Sequence, residues 1–131
     1  MMLSANPPNG SRSPLHVDIS GGRRVGRYRV DVAGFERYLE PVPFFSPHTD
    51  LAIIDEIGRM ECLSAKFTRL VVDLLNARVT VVATIALHGR GIIDSIKGRA
   101  DVHLYQATRK NRDSLVGEIE KAVRAGLARR T

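Results

Sequence analysis

The sequence predicts an α/β fold built on a parallel sheet, and three observations carry that prediction. Leu51 to Ile54 and Val79 to Ile85 are short, uncharged and rich in β-branched residues, as strands buried on both faces of a sheet are. Between and after them, apolar residues recur every three to four positions, the period of a helix with one buried face. Strands that alternate with helices at this spacing are joined by crossover connections, which set successive strands parallel.

Residues 1–22 contain Pro7, Pro8 and Pro14 and no long apolar block, so a flexible N-terminal segment is expected there, not a secretory signal. The folded domain is expected over residues 23–131. A β-branched, partly alternating pattern from Arg24 to Val32 predicts a strand ending at Ala33-Gly34, and Phe35, Tyr38 and Leu39 mark a brief helix after it. Pro41, Pro43 and Pro47 prevent regular structure as far as Asp50. After the strand Leu51 to Ile54, Gly58 permits a tight exit. Ser64 is placed to cap a helix whose apolar residues are Phe67, Leu70, Val71, Leu74 and Leu75 and whose end is Asn76 or Ala77. Val79 to Ile85 is the second buried strand. Gly89 and Gly91 mark a mobile loop after it, and Ile92, Ile93 and Ile96 form one face of a short helix stopping near Gly98. Val102 to Ala107 reads as a third strand. The last helix, about Asn111 to Leu127, is expected to bury Leu115, Ile119, Val123 and Leu127, with Arg129 and Arg130 suiting the negative end of its dipole.

Composition narrows the class. The length suits one domain, and 44% hydrophobic with 26% charged residues is ordinary for a globular chain. No apolar run approaches the roughly 18 to 20 residues that span a bilayer, so no membrane partner is expected. Cys62 is the sole cysteine, which excludes an internal disulfide and suits the cytoplasm. It reads as a small, buried or half-buried apolar residue. His16, His48, His88 and His103 are scattered without metal-ligand spacing. The net charge of +6 is mostly arginine, and only Arg23, Arg24, Arg27 and Arg29 cluster. Their alternation with Val25, Tyr28 and Val30 reads as a strand with a solvated face. A basic nucleic-acid-binding module is the alternative, disfavoured by 5% aromatics and no tryptophan to stack bases.

The chemistry concentrates at Asp55-Glu56. Ligands of open parallel sheets bind beyond the carboxyl ends of the strands, where Asp55, Glu56, Thr84 and Thr108 are all expected. An aspartate there can hold Mg²⁺ through water, and a neighbouring glutamate can orient or deprotonate an attacking water. Solvated strand-end charges are the other reading of the same pair.

The longer string Asp55-Glu-Ile-Gly-Arg-Met-Glu61, followed by Leu63, Ser64 and Phe67, resembles the nucleoside-triphosphatase family of P-loop proteins. Val25 to Glu36, Val81 to Ile85 and Arg99 to Asp113 extend the resemblance to roughly Arg24 through Val123. It implies a P-loop NTPase-like three-layer sandwich that hydrolyses nucleoside triphosphates, ATP or GTP among them, to the diphosphate and phosphate with Mg²⁺. By resemblance Asp55 is the metal-side carboxylate and Glu56 the general base. By resemblance Thr84 stands where a polar residue can sense the γ-phosphate, and Asn111 and Arg112 where the nucleotide can be contacted; a hydroxyl bonded to local backbone is the other reading of Thr84, and a salt bridge at the helix N-terminus that of Arg112.

One part of the family pattern is missing. No GxxxxGK[ST] loop occurs in the sequence, so the match is to the part C-terminal to the P-loop and the fold is expected to lack the P-loop strand and helix. Without that backbone nest and its lysine, phosphate binding is expected to be weak. Losing a central strand would uncover about 300 to 500 Å² of apolar surface, or about 8 to 12 kcal/mol of burial. Three explanations are therefore open: an upstream segment that supplies it, a partner chain that supplies it, or a degenerate remnant of a gene that has lost it.

Overall fold

A computed structural model describes residues 23–25 and 28–129. The segment 1–22 expected to be flexible lies outside the described residues. In chain order the elements are β1 (Arg23–Val25), β2 (Tyr28–Val30), α1 (Val32–Leu39), β3 (Leu51–Ile57), α2 (Ala65–Asn76), β4 (Thr80–Ile85), α3 (Ile92–Lys97) and α4 (Arg112–Ala128).

The single strand expected from Arg24 to Val32 is instead an antiparallel pair, β1 and β2, with Arg24 opposite Arg29 and Val25 opposite Tyr28. Two residues, Gly26 and Arg27, separate the strands in sequence, the commonest hairpin length. The ladder stops at Val30 because Asp31 takes over as a helix cap. Its carboxylate accepts from the Gly34 N–H at 2.9 Å, which starts α1 at Val32.

β3 and β4 form a parallel pair with α2 as their crossover, as the alternation required. Ser64 caps α2. Its hydroxyl accepts from the Phe67 N–H at 3.0 Å, and the residue is fully buried. Ser64→Ala removes a cap and leaves a donor without its partner inside the protein. The expected cost is about 1 to 2 kcal/mol, read as a lower urea midpoint at unchanged slope.

One core joins these pieces. Phe35 and Leu39 of α1, Phe67, Val71 and Leu74 of α2, Ala52 and Ile54 of β3, Ala83 of β4 and Ile96 of α3 are buried together with Val30 and Phe44. The rings of Phe35 and Phe67 meet with centroids 5.4 Å apart and planes tilted by 53°. Beyond α3, the Arg99 guanidinium donates to Asp101, to the Leu75 carbonyl and to Asn76, clamping this turn to the end of α2. The hydrogen bond from Arg99 holds the Asp101 carboxyl below the usual carboxylate range.

Three expectations fail, and for related reasons. Leu51 to Ile54 is not buried on both faces: Ala52 and Ile54 enter the core, whereas Ile53 is 41% exposed. Helices α1 and α2 cover the face that Ala52 and Ile54 share, and the sheet of described residues is only two strands wide. Val102 to Ala107 forms no strand. A strand exists only through its ladder, and this segment has no ladder partner among the described residues. In α4 only Leu115 is buried. Ile119, Val123 and Leu127 are half-exposed, and a cavity lies between β4 and the face that carries Ile119 and Val123. No helix among the described residues is long and apolar enough to cross a membrane.

Candidate functional site

The acidic pair sits inside β3, where the register with β4 slips. Ile54 faces Ala83 and Ile57 faces Ile85, so β3 spends two residues, Asp55 and Glu56, against Thr84 alone. The consequence follows from the period of a strand. With Ile54 buried, strict alternation would bury Glu56 and expose Ile57. The extra residue reverses the parity: Ile57 returns to the core at 2% exposure, and both carboxylates stay in solvent. The ladder then resumes, with the Ala86 N–H donating to the Ile57 carbonyl at 3.0 Å.

The same slip brings Thr84 to Asp55. The Thr84 hydroxyl donates to Asp55 Oδ1 at 2.5 Å. One carboxylate oxygen is oriented in this way, and the other meets no partner among the described residues. Glu56 is exposed beside it.

A further carboxylate joins from the turn after β3. Glu61 Oε2 accepts from the Gly58 N–H at 3.1 Å. A Cβ at residue 58 would stand 2.7 Å from Glu61 Oε2 and 2.9 Å from Glu56 Oε1, so only glycine lets both side chains close over this turn. Glu61 belongs to the string that carried the resemblance, but its role as the support of this turn is not readable from spacing alone. Next to it, burial and then the Glu61 charge push the Cys62 thiol up to about 11, which removes Cys62 as a nucleophile at neutral pH.

The remaining residues lie differently. Asn111 serves its own turn: its amide oxygen accepts from the Thr108 N–H at 2.6 Å, and its amide nitrogen donates to the Gln106 carbonyl at 2.8 Å. Thr108 therefore closes a turn before α4 and does not end a strand. The Arg112 Nε lies 3.9 Å from Asp113, both largely exposed. Among the described residues no hydrogen bond or ion pair joins Asn111 or Arg112 to Asp55, Glu56 or Thr84. His88 is exposed in the loop after β4, which Lys97 fastens by donating to the Leu87 carbonyl at 2.7 Å. The side chains of Arg23, Arg24, Arg27 and Arg29, the basis of the nucleic-acid alternative, lie outside the described residues.

Comparison of the sequence with known proteins gives its family. The sequence profile of the NTPase family matches residues 8–120. The chain belongs to the NTPase family. Among curated NTPases it is 38% identical over 104 residues to the Nucleoside-triphosphatase THEP1 of Thermotoga sp. (strain RQ2), covering 79% of this chain and 60% of that protein. It is 33% identical over 126 residues to the Cancer-related nucleoside-triphosphatase homolog of Bos taurus, covering 85% and 66%. The Cancer-related nucleoside-triphosphatase of Homo sapiens is 30% identical over 132 residues, covering 89% and 70%. The chain thus spans about 60% of the length of the Thermotoga NTPase. No solved structure gives a significant match. Family membership agrees with the α/β, P-loop NTPase-like fold expected from the strand-helix alternation.

Proposed function

We propose that this chain carries the metal-binding and water-activating part of a nucleoside-triphosphate phosphohydrolase, which converts a nucleoside triphosphate and water to the diphosphate and inorganic phosphate. The observation that supports this most is the Asp55–Thr84 hydrogen bond beside the exposed Glu56, at the strand end where parallel sheets bind ligands. In this reading Glu56 accepts the proton of the water that attacks the γ-phosphorus. Thr84 fixes the rotamer of Asp55 and stands where the γ-phosphate would be sensed. Arg112 and Asn111 are assigned to the nucleotide by family resemblance alone.

The donor set suits Mg²⁺. Among the described residues no three His, Cys, Asp or Glu side chains form a cage. Mg²⁺ in nucleotide sites needs none, because it keeps waters and phosphate oxygens and takes only one or two carboxylates. Asp55 Oδ2, which meets no partner among the described residues, is such a donor, and the ion would supply charge neutralisation at the β- and γ-phosphates. The phosphate-binding loop, in this proposal, comes from an upstream segment or a partner chain.

Release of phosphate from ATP and GTP tests the reading, measured by malachite green for this chain and for a version extended upstream, each with Mg²⁺ and with EDTA. The extended version is expected to turn over only with Mg²⁺, and this chain by itself weakly or not at all. Equal turnover in EDTA would remove Asp55 as the metal-side carboxylate.

A further inference from the structure

Strand β3 passes into a turn that closes on both polar groups of one glycine. Ile57 ends the ladder with β4 by accepting from the Ala86 N–H, and Gly58, which follows it, is buried. A buried backbone N–H needs an acceptor. The Gly58 N–H finds one in Glu61 Oε2 at 3.1 Å, while the Gly58 carbonyl accepts from the Cys62 N–H at 3.0 Å. Glu61 is anchored in its turn. It opens the 3₁₀ turn Glu61–Leu63, and its carbonyl accepts from the N–H of Ser64, the residue that caps α2. The backbone of Glu61 is therefore set by the buried start of a helix, and its side chain reaches back to the glycine.

The same glycine lies under Glu56. A Cβ on residue 58 would stand 2.7 Å from Glu61 Oε2, 2.9 Å from Glu56 Oε1 and 3.2 Å from Glu56 Cγ. Both carboxylates thus lie over one Cα, and each fills space that the other would enter on rotating. They differ in what holds them. Glu61 is half-buried and hydrogen-bonded, whereas Glu56 is exposed and has no hydrogen bond or ion pair among the described residues. An exposed glutamate that nothing ties down samples several rotamers.

We propose that Glu61 is a positioning residue for Glu56: its carboxylate, fastened to the Gly58 N–H, blocks the rotamers that would carry the Glu56 carboxylate across the turn. The inference rests on the reading given under Proposed function, in which Glu56 accepts the proton of the attacking water. In this role Glu61 touches neither the water nor the substrate. A general base must come within about 2.6 to 3.2 Å of the proton's oxygen. A side chain confined beforehand gives up less rotamer freedom on reaching that place. Shape and one hydrogen bond build the obstacle, and charge does not, because the Gly58 donor requires only an acceptor oxygen. Glutamine at position 61 offers that oxygen at the same reach, and alanine offers neither oxygen nor bulk. Glycine at position 58 is the third part, since any Cβ would fill the space that the two carboxylates share.

Three-bond couplings about the Glu56 Cα–Cβ bond, measured by NMR on the isotope-labelled full chain, test this without turnover. The parent and Glu61→Gln are expected to show one dominant Glu56 rotamer and equal exchange rates at the Gly58 amide. Glu61→Ala should average the couplings and speed exchange of the Gly58 amide by about tenfold or more. Glu61→Asp, one methylene too short to reach the Gly58 N–H, replaces it if circular dichroism shows the alanine variant unfolded. In the upstream-extended form, Glu61→Ala should lower kcat by about tenfold at unchanged KM, and Glu61→Gln should restore it to within twofold of the parent. A purely structural support would leave the Glu56 couplings of the folded chain where they were. Unchanged couplings in Glu61→Ala would overturn the proposal. So would a Glu61→Gln variant as impaired as Glu61→Ala, because the charge of Glu61 would then act directly. The two ideas fail separately. Full turnover by Glu56→Gln removes Glu56 as the base, and the couplings still judge Glu61. Loss in Glu56→Gln with kcat unchanged in Glu61→Ala removes only the role of Glu61.

Discussion

Glu56→Gln is expected to lower phosphate release from ATP by about 10² to 10⁴-fold, the range in which a positioned general base contributes. The substitution keeps the size and hydrogen-bonding capacity of the side chain and removes the basic oxygen, so the loss isolates proton acceptance from packing. Glu56 is exposed and its neighbour Ile57 holds the strand in the core, so folding should be unaffected. The measurement uses whichever form turns over, this chain or its upstream-extended version, with malachite green at saturating Mg²⁺. A fall in kcat at unchanged KM is the expected pattern. A rate within twofold of the parent would show that Glu56 accepts no proton in the slow step, and the base would have to be sought elsewhere. Glu61 is the carboxylate to examine next, because it closes over the same glycine.

Phe67→Ala should cause the largest loss of stability, about 3 to 5 kcal/mol. Phe67 is 2% exposed, and its ring packs on Phe35 at 5.4 Å, linking α2 to α1. Truncation removes the buried ring and leaves a cavity that two helices and a strand would have to collapse to fill. Against a typical domain stability of about 5 to 15 kcal/mol, this is a third of the total or more. Phe45→Ala provides the contrast, since Phe45 is 52% exposed and its loss should stay within about 0.5 kcal/mol. Urea unfolding followed by far-UV circular dichroism measures both. A cost below about 1 kcal/mol at Phe67 would mean that α1 and α2 do not share the core described above.

Much of the fold is legible in the sequence where the cause is local. Ser64 caps α2 because its hydroxyl reaches a donor three residues on, and the three-to-four spacing from Phe67 to Leu74 sets the buried face of that helix. Pro41, Pro43 and Pro47 keep the chain irregular up to β3. The strand-helix-strand order fixed β3 and β4 as a parallel pair. The expectations that fail depend on neighbours. An uncharged run such as Leu51 to Ile54 has the composition of a strand covered on both faces, yet composition cannot state whether both covers are present, and Ile53 is left half in water. Residues 102–107 have a strand pattern but no ladder partner among the described residues, and a cavity lies between β4 and the face of α4 that carries Ile119 and Val123.

The candidate site divides in the same way. The string from Asp55 to Glu61 determines which chemical groups are offered, and the sequence over residues 8–120 to which family the chain belongs, because residue type and spacing are properties of the sequence alone. Only the tertiary structure decided how those groups stand. The one-residue slip opposite Thr84 exposes both Asp55 and Glu56, ties Asp55 to the hydroxyl of Thr84 and returns Ile57 to the core. The physical reason is that the face a strand residue takes is set by its register with a neighbouring strand, and that register is fixed by the ladder between β3 and β4 and the packing beneath it.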